Sequence, residues 1–180
     1  MFAIRSCELP PDALLGRYRE SGAFADCYVT ELAGGVSHAE FVEAFFTTRL
    51  FKVERLVLRV LASRPSTDVQ ARRLARGESD TFAAWSVEGR AANQLLLADF
   101  TGRTRSWLTT APGERGTRLY FGSAVVPSTH PSSRRLQFGG TFRALLGFHR
   151  LYSQALLFCA QRRLSPLFLQ KIRAGSRGQP

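Results

Sequence analysis

His149 stands three residues before Tyr152 and four before Ser153. On a helix those spacings bring the side chains to one face. A histidine with such hydroxyl neighbours can be held in one tautomer and can move protons near neutral pH. The pair His149 and Tyr152 would then serve as acid and base on a bound carbonyl compound. The same residues would equally satisfy one another in a closed core. The other two histidines offer less: His38 falls in the first turn of a helix, at the surface, and His130 in a Pro/Ser-rich loop. No H-x-x-x-H spacing links the three, so no metal site is expected.

Arg105 and Trp107 alternate along a strand-like run and so share a face. An arginine beside a tryptophan in a pocket suits an apolar ligand with an acidic end, because the guanidinium grips carboxylate or phosphate in bidentate fashion. Across the Thr101-Gly102 turn, Asp99 is placed to pair with Arg105 as a structural ion pair instead. Trp85, the other tryptophan, also lies in a strand, and the small residues Ser123, Ala83 and Ala84 leave room beside the two tryptophans for a cavity. The lining expected for such a cavity is Trp85, Arg105 and Trp107 from a sheet with His149 and Tyr152 from a helix. No G-x-S-x-G, P-loop or dinucleotide fingerprint is present, so no cofactor is called for. Cys7, Cys27 and Cys159 are odd in number and lack C-x-x-C spacing, which argues against a zinc site or a disulfide framework.

These residues must be positioned by a small set of elements. Residues 1–22, with Pro10-Pro11 and Gly16, read as an irregular lead-in lying against the body. Asp26–Ala33 reads as a first strand closed by Gly34-Gly35. Ser37 and Glu40 form a capping box for the helix HAEFVEAFFTTRL. A second helix follows, KVERLVLRVLA, with Val53, Leu56, Val57 and Val60 on one face and Arg55 and Arg59 on another. Thr67 caps a third, short, basic helix, DVQARRLAR. Four strand-length runs come next, TFAAWSVE, NQLLLADF, TRSWLTTA and TRLYFGSAVV, joined by turns too short for anything but antiparallel neighbours. Residues 127–140 read as a loop. A long helix is expected over Phe142–Leu164, with Arg143, Arg150, Gln154 and Gln161 forming a narrow polar stripe on an otherwise apolar, largely buried cylinder. The residues after Pro166 read as a loose tail.

Strands and helices are segregated, so the class is α+β, with the long helix covering the concave face of a curved antiparallel sheet. The run GTRLYFGSAVVP (Gly116–Pro127), followed by FRALLGFHRLYSQALL (Phe142–Leu157), resembles an uncharacterised bacterial family of the START-like/polyketide-cyclase helix-grip superfamily. The resemblance rests on a strand ending in proline, a loop, and a helix containing Phe-His-Arg. The rest of the chain matches in element order only. Five strands are counted, fewer than the usual helix-grip sheet, and the helix at 67–76 is an addition. The resemblance implies one helix-grip domain over 1–180 and a cavity between sheet and helix.

The charge is one-sided. Lysine and arginine total 25 against 14 acids, a net +11, and no acidic residue follows Glu114. A field of this kind attracts anions, whether nucleic acid or acidic lipid headgroups. Residues 1–11 hold no apolar run long enough for a signal peptide, and Arg143, His149 and Arg150 interrupt the most apolar segment, so a cytoplasmic protein is expected. The functional expectation is therefore a module that binds a small hydrophobic or amphipathic molecule. A cyclase- or isomerase-like enzyme of the same fold and an anionic-surface binder are the alternatives.

Overall fold

The computed structural model describes residues 3–61, 63–126 and 149–165. Its elements run β1 (Arg5–Ser6), α1 (Gly16–Glu20), β2 (Phe24–Ala33), α2 (His38–Phe46), α3 (Arg49–Leu61), α4 (Asp68–Ala75), β3 (Thr81–Phe82), β4 (Trp85–Ala91), β5 (Gln94–Asp99), β6 (Thr104–Pro112) and β7 (Gly116–Val125). A last helix, α5, occupies 149–165. The expected start of that helix at Phe142, with Arg143 and Leu145, lies outside the described residues, as does His130.

All seven strands form one antiparallel sheet in the order β1-β2-β7-β6-β5-β4-β3. The architecture is an α+β helix-grip, a curved antiparallel sheet with the C-terminal helix packed on one face. The meander β4 to β7 follows from its short turns. β2 closes onto β7 along its whole length, from Phe24↔Val125 to Ala33↔Gly116. Two strands escape the sequence reading. β1 is a two-residue addition from the lead-in. The run TFAAWSVE is not one strand but a hairpin, because Ala83 adopts φ 53° and turns the chain so that Phe82 pairs with Trp85.

Strand alternation gives the sheet two apolar faces. On the helix side, Tyr28, Leu95, Leu97, Leu108, Leu119 and Phe121 meet the phenylalanines of α2 and α3 and Leu156, Leu157, Ala160 and Leu164 of α5. Phe41, Phe45, Phe46, Phe51 and Phe82 form a continuous set of tilted and edge-on rings. On the opposite side Cys27, Leu96, Trp107 and Ala124 are covered by Leu9, Ala13 and Leu15. The lead-in is thus the lid of a second core.

The helices α2 and α4 begin as their sequences require. Ser37 and Glu40 exchange capping hydrogen bonds, and so do Thr67 and Gln70. The helix α3 is turned over relative to a conventional amphipathic helix. Val53, Leu56, Val57 and Val60 are 47–70% exposed. Arg55 points inward and bonds to Asp68 and Ser66. The expectation of a largely buried α5 also needs correction. Leu151 and Phe158 are exposed, while Gln161, placed on the polar stripe, is fully buried and donates to Thr30 Oγ1 at 2.7 Å.

Candidate functional site

A cavity of about 180 Å3 lies between the sheet and α5, walled by Phe45, Phe46, Phe51, Trp85, Phe121 and Leu156. Polar groups converge on it from three elements: Glu54 of α3, Ser106 of β6, and His149, Tyr152 and Ser153 of α5. Of the five expected lining residues, Trp85, Arg105, His149 and Tyr152 border this cavity and Trp107 does not. Arg105 and Trp107 share a face as read, but it is the other face of the sheet. Strand parity decides this: Leu108 points to the helices, so Trp107 and Arg105 point away.

The far-side roles of those two residues are structural. Trp107 is fully buried and donates through Nε1 to Gln94 Oε1 at 2.8 Å. Gln94 also ties down the lead-in, accepting from Leu14 N and donating to the Asp12 carbonyl, both at 3.0 Å. Arg105 pairs with Glu88 rather than Asp99, and its Nε also donates to Tyr18 Oη at 2.8 Å. Asp99 is occupied by its own turn, accepting from the backbone N–H groups of Thr101, Arg103 and Thr104. Arg105 also borders the cavity, but its guanidinium is committed on the opposite face.

His149 and Tyr152 do not satisfy each other; each finds a partner on another element. His149 Nε2 lies 2.6 Å from Ser123 Oγ, and Ser123 donates to Asp26 Oδ1 at 2.5 Å. Asp26 and Ser123 are direct cross-strand partners on β2 and β7. Tyr28 donates to the other Asp26 oxygen at 3.3 Å. The three residue types of a hydrolase triad are present, but their order is different. In a triad the carboxylate orients the histidine, which takes the serine proton. Here the carboxylate accepts a hydrogen bond from the serine hydroxyl, so Nε2 carries hydrogen and donates to Oγ. That arrangement holds His149 in place and does not activate Ser123.

Tyr152 donates to Glu54. Burial raises the Tyr152 phenol well above its ordinary value, and the neighbouring Glu54 charge adds to this. Burial also raises Glu54, partly offset by the tyrosine hydroxyl. Tyr152 is therefore a donor and not a base. Ser153 is 1% exposed, and its hydroxyl has no hydrogen-bond partner among the described residues. An unsatisfied buried hydroxyl costs about 1–3 kcal/mol.

Sequence reasoning missed Glu54 and Asp26, and marked Ser123 only as a small residue that leaves room for a cavity. Glu54 carried a faint signal as the only acid on a basic helix. The contact of Ser123 with Asp26 carried none, since it depends on pairing two strands and joins residues 97 apart. The sequence places His38 at the surface. It is instead half-buried, with Nε2 donating to the Leu108 carbonyl at 3.2 Å, and burial lowers its pKa. Among the described residues no group of three or more His, Cys, Asp or Glu could hold a metal ion, and no helix is long and apolar enough to cross a membrane.

No protein-family model matches the chain, and no curated protein matches it. Among solved structures, the chain is similar to a crystal structure of a protein from Rhodobacter sphaeroides, at 12% identity and a TM-score of 0.40, covering 93% of this chain and 99% of that one.

Proposed function

We propose that this protein is a binding module of the START-like helix-grip type, holding a small, mostly apolar molecule that carries one hydrogen-bonding group. The observation that carries this reading is the buried, unpartnered Ser153 hydroxyl at the edge of an aromatic-walled cavity. Buried polar groups in native proteins are paired, so an unpaired one in a residue bordering a cavity favours a guest that completes it. The volume limits the guest: an engineered cavity of about 150 Å3 accepts benzene, so about 180 Å3 suits a single ring with a small substituent. The enzymatic alternative, a cyclase or isomerase using His149 and Tyr152 as acid and base, is less well supported. Tyr152 holds its proton, and His149 spends its Nε2 on Ser123.

Phenol and toluene test this reading. Both should raise the thermal midpoint and perturb Trp85 emission. Phenol should bind several-fold more tightly, and Ser153→Ala should abolish that preference while leaving toluene binding unchanged. The reading is rejected if neither compound binds, or if Ser153→Ala leaves the preference intact.

A second reading, attachment to an anionic lipid surface, is favoured by α3. Its exposed stripe of Val53, Leu56, Val57 and Val60 is accompanied by exposed Arg49, Lys52 and Arg59. Five basic residues and one acid lie between Arg49 and Arg64. A second copy of the chain would bring like charges together, whereas acidic headgroups complement them. Vesicles containing phosphatidylserine should sediment the protein, and Leu56→Glu should prevent it. Sedimentation unaffected by Leu56→Glu would leave charge alone as the cause, which nucleic acid would exploit equally well.

A further inference from the structure

The cysteines, an odd set in the sequence, divide in space into a pair and a single. The β1–β2 register, Arg5↔Val29 and Ser6↔Tyr28, continues to set Cys7 against Cys27. Cys7 N donates to the Cys27 carbonyl at 3.0 Å, and the two sulfurs are 3.4 Å apart. Opposed residues on antiparallel strands have Cα atoms about 4.5–5.5 Å apart, inside the range a disulfide spans. Side-chain rotation must bring the sulfurs to about 2.05 Å, with no strand rearrangement. Cys7 is half-buried and Cys27 is 2% exposed. Both border an open cleft of about 480 Å3, which gives a reagent access to the pair. Cys159 lies on α5, on the helix side of the sheet.

We propose that Cys7 and Cys27 form an oxidisable dithiol that closes to an intramolecular disulfide on reaction with a small disulfide, fastening the lead-in to the sheet. The roles follow from the surroundings. The neighbouring Cys27 thiol holds Cys7 below its ordinary pKa despite burial, and Arg5 helps; contact with Cys7 and burial push Cys27 up. Cys7, as thiolate, attacks one sulfur of the small disulfide and displaces the other half as a thiolate. Cys27 then gives its proton to a departing thiolate and attacks Cys7 Sγ, releasing the second half. Two protein thiols are oxidised to one disulfide, and the small disulfide is reduced to two thiols that carry away both protons.

The test equilibrates the full chain with reduced and oxidised glutathione at graded ratios, followed by alkylation and peptide mapping. Cys7 and Cys27 should appear cross-linked while Cys159 is alkylated. The oxidised form should melt about 5–10 °C higher, because the bond closes a loop of 20 residues in the unfolded chain. Cys159→Ser should behave like the parent. Cys27→Ser should stop at a glutathione adduct on Cys7. Full alkylation of both thiols in oxidised buffer, or a stable adduct on Cys7 in the parent chain, would overturn the proposal.

Discussion

Glu54 and Glu88 place the same side chain in opposite settings. At Glu88, burial raises the pKa, but the Tyr18 hydroxyl and the Arg105 and Arg17 charges outweigh it, and the net shift is downward. Such a group stabilises the fold above its unfolded pKa, about 4.5, and that contribution is lost as pH falls through the lower folded value. Glu88→Gln should therefore cost about 2 kcal/mol in urea unfolding at neutral pH and little in strong acid. At Glu54 the sign reverses. Its raised pKa gives stability that is full below the ordinary carboxylate value and lost as pH rises through the folded one. Glu54→Gln should be at least as stable as the parent at neutral pH, with a flatter stability curve above about pH 5. A loss of stability in Glu54→Gln at neutral pH would show instead that Glu54 is stabilised as a carboxylate. Why Arg105 chose Glu88 over Asp99 could not be read from the sequence. Glu88 is the extra residue where the β4–β5 register shifts between Val87 and Gly89, and a bulge re-aims a side chain without any local signature.

At the level of elements, what was legible was local. Ser37 with Glu40 announced α2, and Thr67 announced α4, because a capping side chain and its target amide lie within four residues. The illegible part was which face each element buries. Val53, Leu56, Val57 and Val60 share one face of α3, as their spacing predicts, and that face is outward; Gln161 belongs to the polar stripe of α5 and is buried, because its amide meets Thr30 and the Glu31 carbonyl on β2. Periodicity identifies a face but not the neighbour that receives it. Leu156 is a clear case of both agreeing: it is apolar, 3% exposed and part of the cavity wall. Leu156→Ala should cost about 2–5 kcal/mol, and a loss below about 0.5 kcal/mol in urea unfolding would reject the packing of α5 on the sheet. On the opposite face, a Cβ at Gly122 would lie 2.9 Å from Leu15 Cδ2 and 3.1 Å from Trp107 Cε3. Gly122→Ala should therefore destabilise by about 1–3 kcal/mol and red-shift the buried tryptophan's emission.

Across the whole molecule, the α+β class and the meander were legible because short turns leave no other topology. The second core was not, since the lead-in's Leu9, Ala13 and Leu15 show no periodicity and acquire meaning only beneath Trp107. Charge was legible throughout: the excess of 11 resides after Glu114. The protein should be retained on heparin at low salt and elute steeply as salt rises, and passage without retention would end that expectation. Both outer strands of the sheet, β1 and β3, are two residues long. Beyond β3 the ladder of β4 is broken by its bulge. Among the described residues, a foreign chain arriving in extended form therefore meets a two-residue strand at either margin of the sheet. The sheet ends itself, and concentrated solutions should resist growth into fibrils by strand addition.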